Sequence, residues 1–159
     1  MKRTPLKRQS DSPTAKIKRE IQKTLREIKL KEQGDCWVKL LFNRRGEVNM
    51  DSDARFVIAE MGDCDEVKQY DHLESRARNI SYANPKLGVL VCRRHHFWHG
   101  SPRKEQRETY ERLVRLFIGP ERAKLWDKVK NDRKNYPMGI YEWNREIMAL
   151  KQELKKLDK

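Results

Sequence analysis

Apolar residues at spacings of three and four mark both ends of this chain as helical, while its middle reads as short apolar runs between turns. Ser12 offers an N-cap and Pro13 a first helical position, and Ile17, Ile21, Leu25 and Ile28 then keep to one face until Gly34. From Asp35 onward the pattern changes. Trp37-Val38 and Leu40-Leu41-Phe42 precede the turn-like Asn43-Arg44-Arg45-Gly46, Asp51-Ser52-Asp53 reads as an exposed loop, and Phe56-Val57-Ile58-Ala59 reads as a strand. Leu87 to Cys92 is a further expected strand. Ser101 and Pro102 repeat the cap and first-turn signature ahead of a helix bearing Tyr110, Leu113, Val114, Phe117 and Ile118, which Gly119-Pro120 interrupts. Helices are expected again from about Glu121 to Lys134, carrying Leu125, Trp126 and Val129, and from Ile140 to Leu157, carrying Trp143, Ile147, Leu150 and Leu154. No internal repeat is visible.

Composition narrows the class. Only 36% of the 159 residues are hydrophobic, which predicts a small α+β centre with helical extensions in place of one large core. The longest apolar runs, such as Val89-Leu90-Val91, are far too short to span a membrane, and Met1 to Ser12 is a basic, polar stretch that reads as a disordered tail and not as a signal peptide. A cytoplasmic protein is expected, in the host cytoplasm if phage-encoded. The net charge of +13 suits a polyanion such as DNA, and its distribution is uneven. Residues 1–33 carry 11 basic and 4 acidic groups, residues 34–100 carry 10 of each, and residues 101–159 carry 16 and 10. Basic wings would grip phosphates while a balanced centre keeps acids for a divalent cation.

The candidate chemistry lies between Tyr70 and Gly100, which hold all four histidines: Asp71-His72, then Cys92-Arg93-Arg94-His95-His96, then His99. A neutral imidazole can take a proton from a water attacking phosphorus, and His72 is the candidate general base. Asp71 is a hard oxygen ligand for Mg2+ or a similar divalent ion, with His96 as its partner ligand. Cys92 and His95 form a Cys-x-x-His pair that a turn can present to one zinc ion. Three cysteines in a reducing compartment favour ligation or free thiols over disulfides. A site of Cys36, Cys64, Cys92 and His95 would use every cysteine; Cys36 and Cys64 could equally be ordinary buried thiols.

With Asp71-His72, a central asparagine and His96, the chain resembles the HNH, or ββα-metal, nucleases. The resemblance implies a small zinc-stapled ββα-metal core over residues 34–100, preceded by a basic helix over 13–33 and followed by a helical extension over 101–159. It implies Asp71 and His96 as ligands of the catalytic ion, His72 as base, and an asparagine steadying the loop between the two halves. Many members place that asparagine about five residues before the cysteine, where this chain has Leu87; Asn84 is nearest and Asn79 is another candidate. Met1 to Arg8, Ser75-Arg76, His99-Gly100 and the helical tail after Tyr136-Pro137 are similar to phage recombination nucleases of the NinG/Rap type, which implies branched, Holliday-junction-like DNA as substrate.

Arg76, Arg78, Arg93 and Arg94 lie near the expected centre in sequence and are candidate phosphate contacts, with His99 beside them as a DNA-binding, metal-side or alternative zinc-binding group. Phe97 and Trp98 are expected to anchor their helix in the core. Junction resolution would favour a homodimer joined through the C-terminal helix, although that helix's apolar face could instead pack within one chain. Two functions are carried forward: a metal-dependent DNA endonuclease, and a non-catalytic zinc-binding nucleic-acid-binding or adaptor module. The Asp71-His72 pair and the extra His96, which a purely structural zinc site does not need, favour the first.

Overall fold

The computed structural model describes residues 12–47, 50–74, 79–132, 134 and 136–158. Helix α1 (Pro13–Glu32) begins where Ser12 Oγ accepts from the Ala15 amide, and the chain leaves it through Gly34 at φ +78°. Two short helices follow, α2 (Trp37–Asn43) and α3 (Ser52–Glu60). Strand β1 (Lys68–His72) pairs antiparallel with β2 (Gly88–Cys92), the link between them containing a short α4 (Asn79–Tyr82) and a 3-10 turn at Pro85–Leu87. The chain then passes directly into α5 (Arg93–His99), the long α6 (Lys104–Asn131) and α7 (Ile140–Lys156). The architecture is mixed α+β, mostly helical around a small two-stranded sheet.

The segments expected to be strands at Trp37–Phe42 and Phe56–Ala59 are helices. Their burial explains the difference: Trp37, Val38 and Leu41 turn inward on α2, and Ala54, Ile58 and Met61 turn inward along α3, which are helical spacings and not alternation. Asp51, read as part of a loop, is the N-cap of α3, its carboxylate accepting from the Ala54 amide at 2.6 Å. The break expected at Gly119-Pro120 is present as a bend within α6, where Gly119 adopts φ +80°. Met1 to Asp11, expected to be a disordered tail, lies outside the described residues.

The sheet divides two apolar clusters. Register pairs Asp71 with Val89 and Tyr70 with Leu90, so Gln69 and Asp71 share one face with Val89 and Val91, while Tyr70 and His72 face the other way. The first face belongs to the larger cluster, built with α2, α3 and α6. On the second face Tyr70 and Tyr82 join Ile21, Leu25 and Ile28 of α1 and Trp143, Ile147 and Leu150 of α7. The apolar stripe of α7, one candidate for a dimer contact, is therefore covered by α1 of the same chain. The Gln33 carboxamide accepts from Leu90 N and donates to Leu90 O, so the end of α1 is sewn to the free edge of β2.

Gly88 is fixed by packing. The Tyr70 ring lies across it on the way to donate its hydroxyl to the Asn84 carbonyl, and a Cβ at position 88 would sit 2.0 Å from Tyr70 Cζ. Gly88→Ala is expected to destabilise the protein by about 1–3 kcal/mol, the usual cost of an overpacked site. Urea unfolding checks this, and an unchanged midpoint would show that Tyr70 can move aside freely.

Candidate functional site

Helix α5 has seven residues and carries three of the four histidines. Its N-terminus is capped from a distance by the Asp65 carboxylate, which accepts from the amides of Arg93 (3.2 Å) and Arg94 (2.9 Å) and places negative charge against the helix dipole. His95 points into the protein. His96 and His99, three residues apart, both bring a ring nitrogen to Asp71.

On the inner side, His95 Nδ1 lies 3.5 Å from Cys36 Sγ, 3.6 Å from Cys64 Sγ and 3.1 Å from Cys92 Sγ. A tetrahedral zinc ion, with Zn–S near 2.3 Å and Zn–N near 2.0 Å, requires N···S edges of about 3.5 Å. The His95 Nε2–H donates to the Met61 carbonyl at 3.1 Å, the outer-shell contact that leaves Nδ1 as the ligating nitrogen. Burial lowers the His95 pKa and so favours the neutral ring that a metal needs. Burial likewise raises the Cys36 and Cys64 thiols, and the negative charge that a neighbouring Cys92 thiolate would carry pushes both in the same direction. A cation would relieve that repulsion. The cluster could therefore hold a metal ion such as zinc, as its cysteine and histidine content led one to expect.

On the outer side, Asp71 is buried beneath a second cluster. His99 Nδ1 lies 2.8 and 2.9 Å from its two carboxylate oxygens, and His96 Nε2 lies 3.2 Å from Oδ1. These separations suit hydrogen bonds, and equally suit adjacent ligands about 3.0 Å apart on an ion with bonds of 2.1 Å. Burial alone would raise the Asp71 pKa; hydrogen bonds from His96 and His99, with their charges, hold it down at about 2. In the opposite sense, burial works against the charged form of His99 and the facing Asp71 overrides it, raising its pKa. The His96 Nδ1–H donates to Gln69 Oε1 at 2.9 Å, turning Nε2 toward Asp71.

Tyr110 of α6 completes this cluster from outside residues 34–100. Its hydroxyl donates to Asp71 Oδ2 at 2.5 Å and accepts from Trp37 Nε1 at 3.1 Å, while its ring stacks on His99 with centroids 5.1 Å apart. Burial, together with the charge of Asp71, raises the Tyr110 pKa and keeps it a phenol donor. Oδ1 is thereby left as the carboxylate oxygen turned to both histidines.

The cluster opens into a cleft of about 860 Å3, bordered by Leu73, Phe97 and Trp126, by the cations Arg93, Arg107 and Lys130, and by the acids Glu74 and Glu111, the last ion-paired with Lys130 at 2.9 Å. His72 borders the same cleft, but its ring projects from the other face of β1. Its Nε2 lies 2.7 and 2.9 Å from the two ends of the Gln22 carboxamide of α1, and its ring packs against Tyr82. Asn84 is held elsewhere: its side chain accepts from the Lys86 amide and its carbonyl accepts from Tyr70, so it shapes the loop without bordering the cleft. Asn79 donates to the Tyr136 carbonyl.

Among the residues expected to contact phosphate, Arg93 borders the cleft, Arg94 reaches back to the Asp63 carbonyl at 3.4 Å, and Arg76 and Arg78 lie outside the described residues. His99 sits with Asp71 and His96. Phe97, expected in the core, is 73% exposed, whereas Trp98 does pack against the larger cluster. Sequence reading missed Gln22, Gln69 and Tyr110. Only the His96 and His99 spacing, one helical turn, carried a local signal.

Metal analysis is expected to find zinc bound at the Cys36, Cys64, Cys92 and His95 cluster. Because buried thiols must lose protons to bind it, affinity should fall as pH is lowered. Cys92→Ser should remove this ion and lower the Tm, whereas Asp71→Asn should leave the zinc content unchanged. A Cys92→Ser protein with the parent's metal content and Tm would rule the cluster out.

No protein-family model, curated protein or solved structure matches this chain.

Proposed function

We infer that this protein is a divalent-metal-dependent DNA endonuclease of the HNH type, hydrolysing phosphodiester bonds. The observation that carries the reading is the convergence of Asp71, His96 and His99 at the base of a cleft with basic residues on its walls. Two further features support it. The order β1, β2, α5 is the one a ββα-metal core requires, with the acid on the first strand and the last histidines on the helix. The Cys36, Cys64, Cys92 and His95 group meets the same helix at the residue before His96, where a structural zinc would hold α5 in place.

Asp71, His96 and His99 would hold the catalytic ion, which when bound supplies a positive charge against the scissile phosphate and the departing oxygen. His72 is the proposed base. Its Nε2 meets Gln22 and its Nδ1 is buried, so the ring would have to turn from that face of β1 into the cleft to take the proton from the attacking water, a step worth very roughly a hundred- to ten-thousandfold in rate. Arg93, Arg107 and Lys130 would meet the flanking phosphates. A branched substrate and a homodimer making paired cuts belong to this proposal as its finer form.

The second imidazole changes the expected ion. Mg2+ favours oxygen ligands in strict octahedral geometry, whereas two imidazoles and one carboxylate suit Mn2+, Co2+, Ni2+ or Zn2+ better. Cleavage of plasmid, linear duplex and four-way-junction DNA should therefore be faster with Mn2+ or Ni2+ than with Mg2+ at equal concentration. An enzyme active with Mg2+ alone would argue against His99 as a ligand.

His72→Ala is expected to lower the cleavage rate by about a hundredfold or more with DNA affinity retained. Unchanged cleavage would remove His72 as base. Salt-sensitive DNA binding by the parent protein, with no cleavage of any DNA form under any of these ions, would return the protein to the zinc-stapled adaptor class.

A further inference from the structure

Phe97 stands out on α5 because its neighbours all have assigned partners. His95 turns to the cysteines, His96 and His99 turn to Asp71, and Trp98 packs into the core, while Phe97 is 73% exposed. Its ring borders the same cleft as the Asp71 cluster, immediately after one candidate ligand and two residues before the other. Arg93 lies one helical turn earlier on α5, so the two side chains share a face, and the Arg93 guanidinium is largely exposed, with Asp65 3.7 Å away. Leu73 and Trp126 add apolar surface to the cleft, and Arg107 and Lys130 line it as well.

A flat apolar ring beside a cation, at the mouth of a cleft lined with both, matches the two halves of a nucleotide: a base to stack and a phosphate to neutralise. Bases inside a duplex already have both faces covered by their neighbours. We propose that Phe97 is a stacking platform for a nucleobase that has left the helical stack, so that the preferred ligand is DNA with an unpaired or splayed nucleotide beside the phosphate held in the cleft. This rests on the nucleic-acid reading of the cleft and specifies which nucleic-acid structure it takes.

The test uses binding, which needs no turnover. Fluorescence anisotropy of the full-length, zinc-loaded protein would compare a continuous duplex with the same duplex containing two unpaired nucleotides, one of them 2-aminopurine. Phe97→Ala should weaken binding to the interrupted duplex by about five- to a hundredfold, the usual worth of one stacked base, and to the continuous duplex by less than twofold. Phe97→Leu, apolar but without a ring, should behave like Phe97→Ala, and Phe97→Trp should retain affinity. The 2-aminopurine emission should change on binding to the parent protein and not on binding to Phe97→Ala.

Equal losses on the two DNAs, no loss on either, or full retention by Phe97→Leu would overturn the proposal. Because Phe97 is exposed, all three variants should keep the parent's Tm and zinc content, which separates a binding defect from misfolding. Discrimination that persists in a protein that never cuts DNA would sustain the stacking site and remove only the endonuclease assignment. Cleavage by a protein whose Phe97→Ala variant binds both DNAs normally would do the reverse.

Discussion

The arrangement depends on holding about two turns of helix, and α5 cannot hold itself. Seven residues are well below the roughly 12–15 at which an isolated helix becomes even marginal in water. Its stability must come from what it touches, and it is gripped at both ends and on two faces. Asp65 caps its first amides, His95 enters a pocket of three sulfurs, Trp98 packs into the larger apolar cluster, and His96 and His99 close over Asp71. Two neighbouring histidines thus serve different clusters because successive residues on a helix point about 100° apart. A strand in this position would place His95 and His96 on opposite faces, but would separate His96 from His99 as well.

The same geometry sets the division between Asp71 and His72. They are adjacent on β1 and so lie on opposite faces of the sheet, and each is steadied by a helix from outside residues 34–100. Tyr110 of α6 donates to Asp71, and Gln22 of α1 meets His72. The flanking helices therefore do more than carry basic charge. The chain from Trp37 through Tyr110 to Asp71 runs from the apolar core to the carboxylate, so the position of that carboxylate is tied to the packing of α2 against α6.

Local signals account for what the sequence made legible. The amphipathic stripes of α1 and α7, the caps at Ser12 and the bend at Gly119 are written within a few residues of where they act. Cys92 and His95 were legible as a pair from their spacing, whereas Cys36 and Cys64 read equally well as buried thiols until the fold brought their sulfurs to His95. The helices α2 and α3 were not legible, since an apolar run of three or four residues is equally compatible with a buried strand, and only the face that becomes buried decides. Gln22 and Tyr110 were invisible for a different reason: they meet their partners across 50 and 39 residues, and neither belongs to a motif. Phe97 was assigned to the core on hydrophobicity alone, a rule that fails where neighbouring positions on a short helix are already committed.

Two clusters on one short helix raise the question of how each would acquire its own ion, and their chemistry answers it. The inner set offers three soft sulfurs and one nitrogen, all drawn within 4.8 Å, a closed group that matches zinc and leaves no ligand position for substrate. The outer set offers one carboxylate and two imidazoles, too few donors to fill an octahedron, and it faces a cleft. An ion there would keep its remaining positions open toward the cleft. The sulfur cluster would thus capture zinc with the higher affinity, and its closure would prevent a structural ion from acting as a reactive one. Tyr110 reinforces the contrast by occupying Oδ2 of Asp71, which favours coordination through one oxygen and preserves an open face toward the cleft.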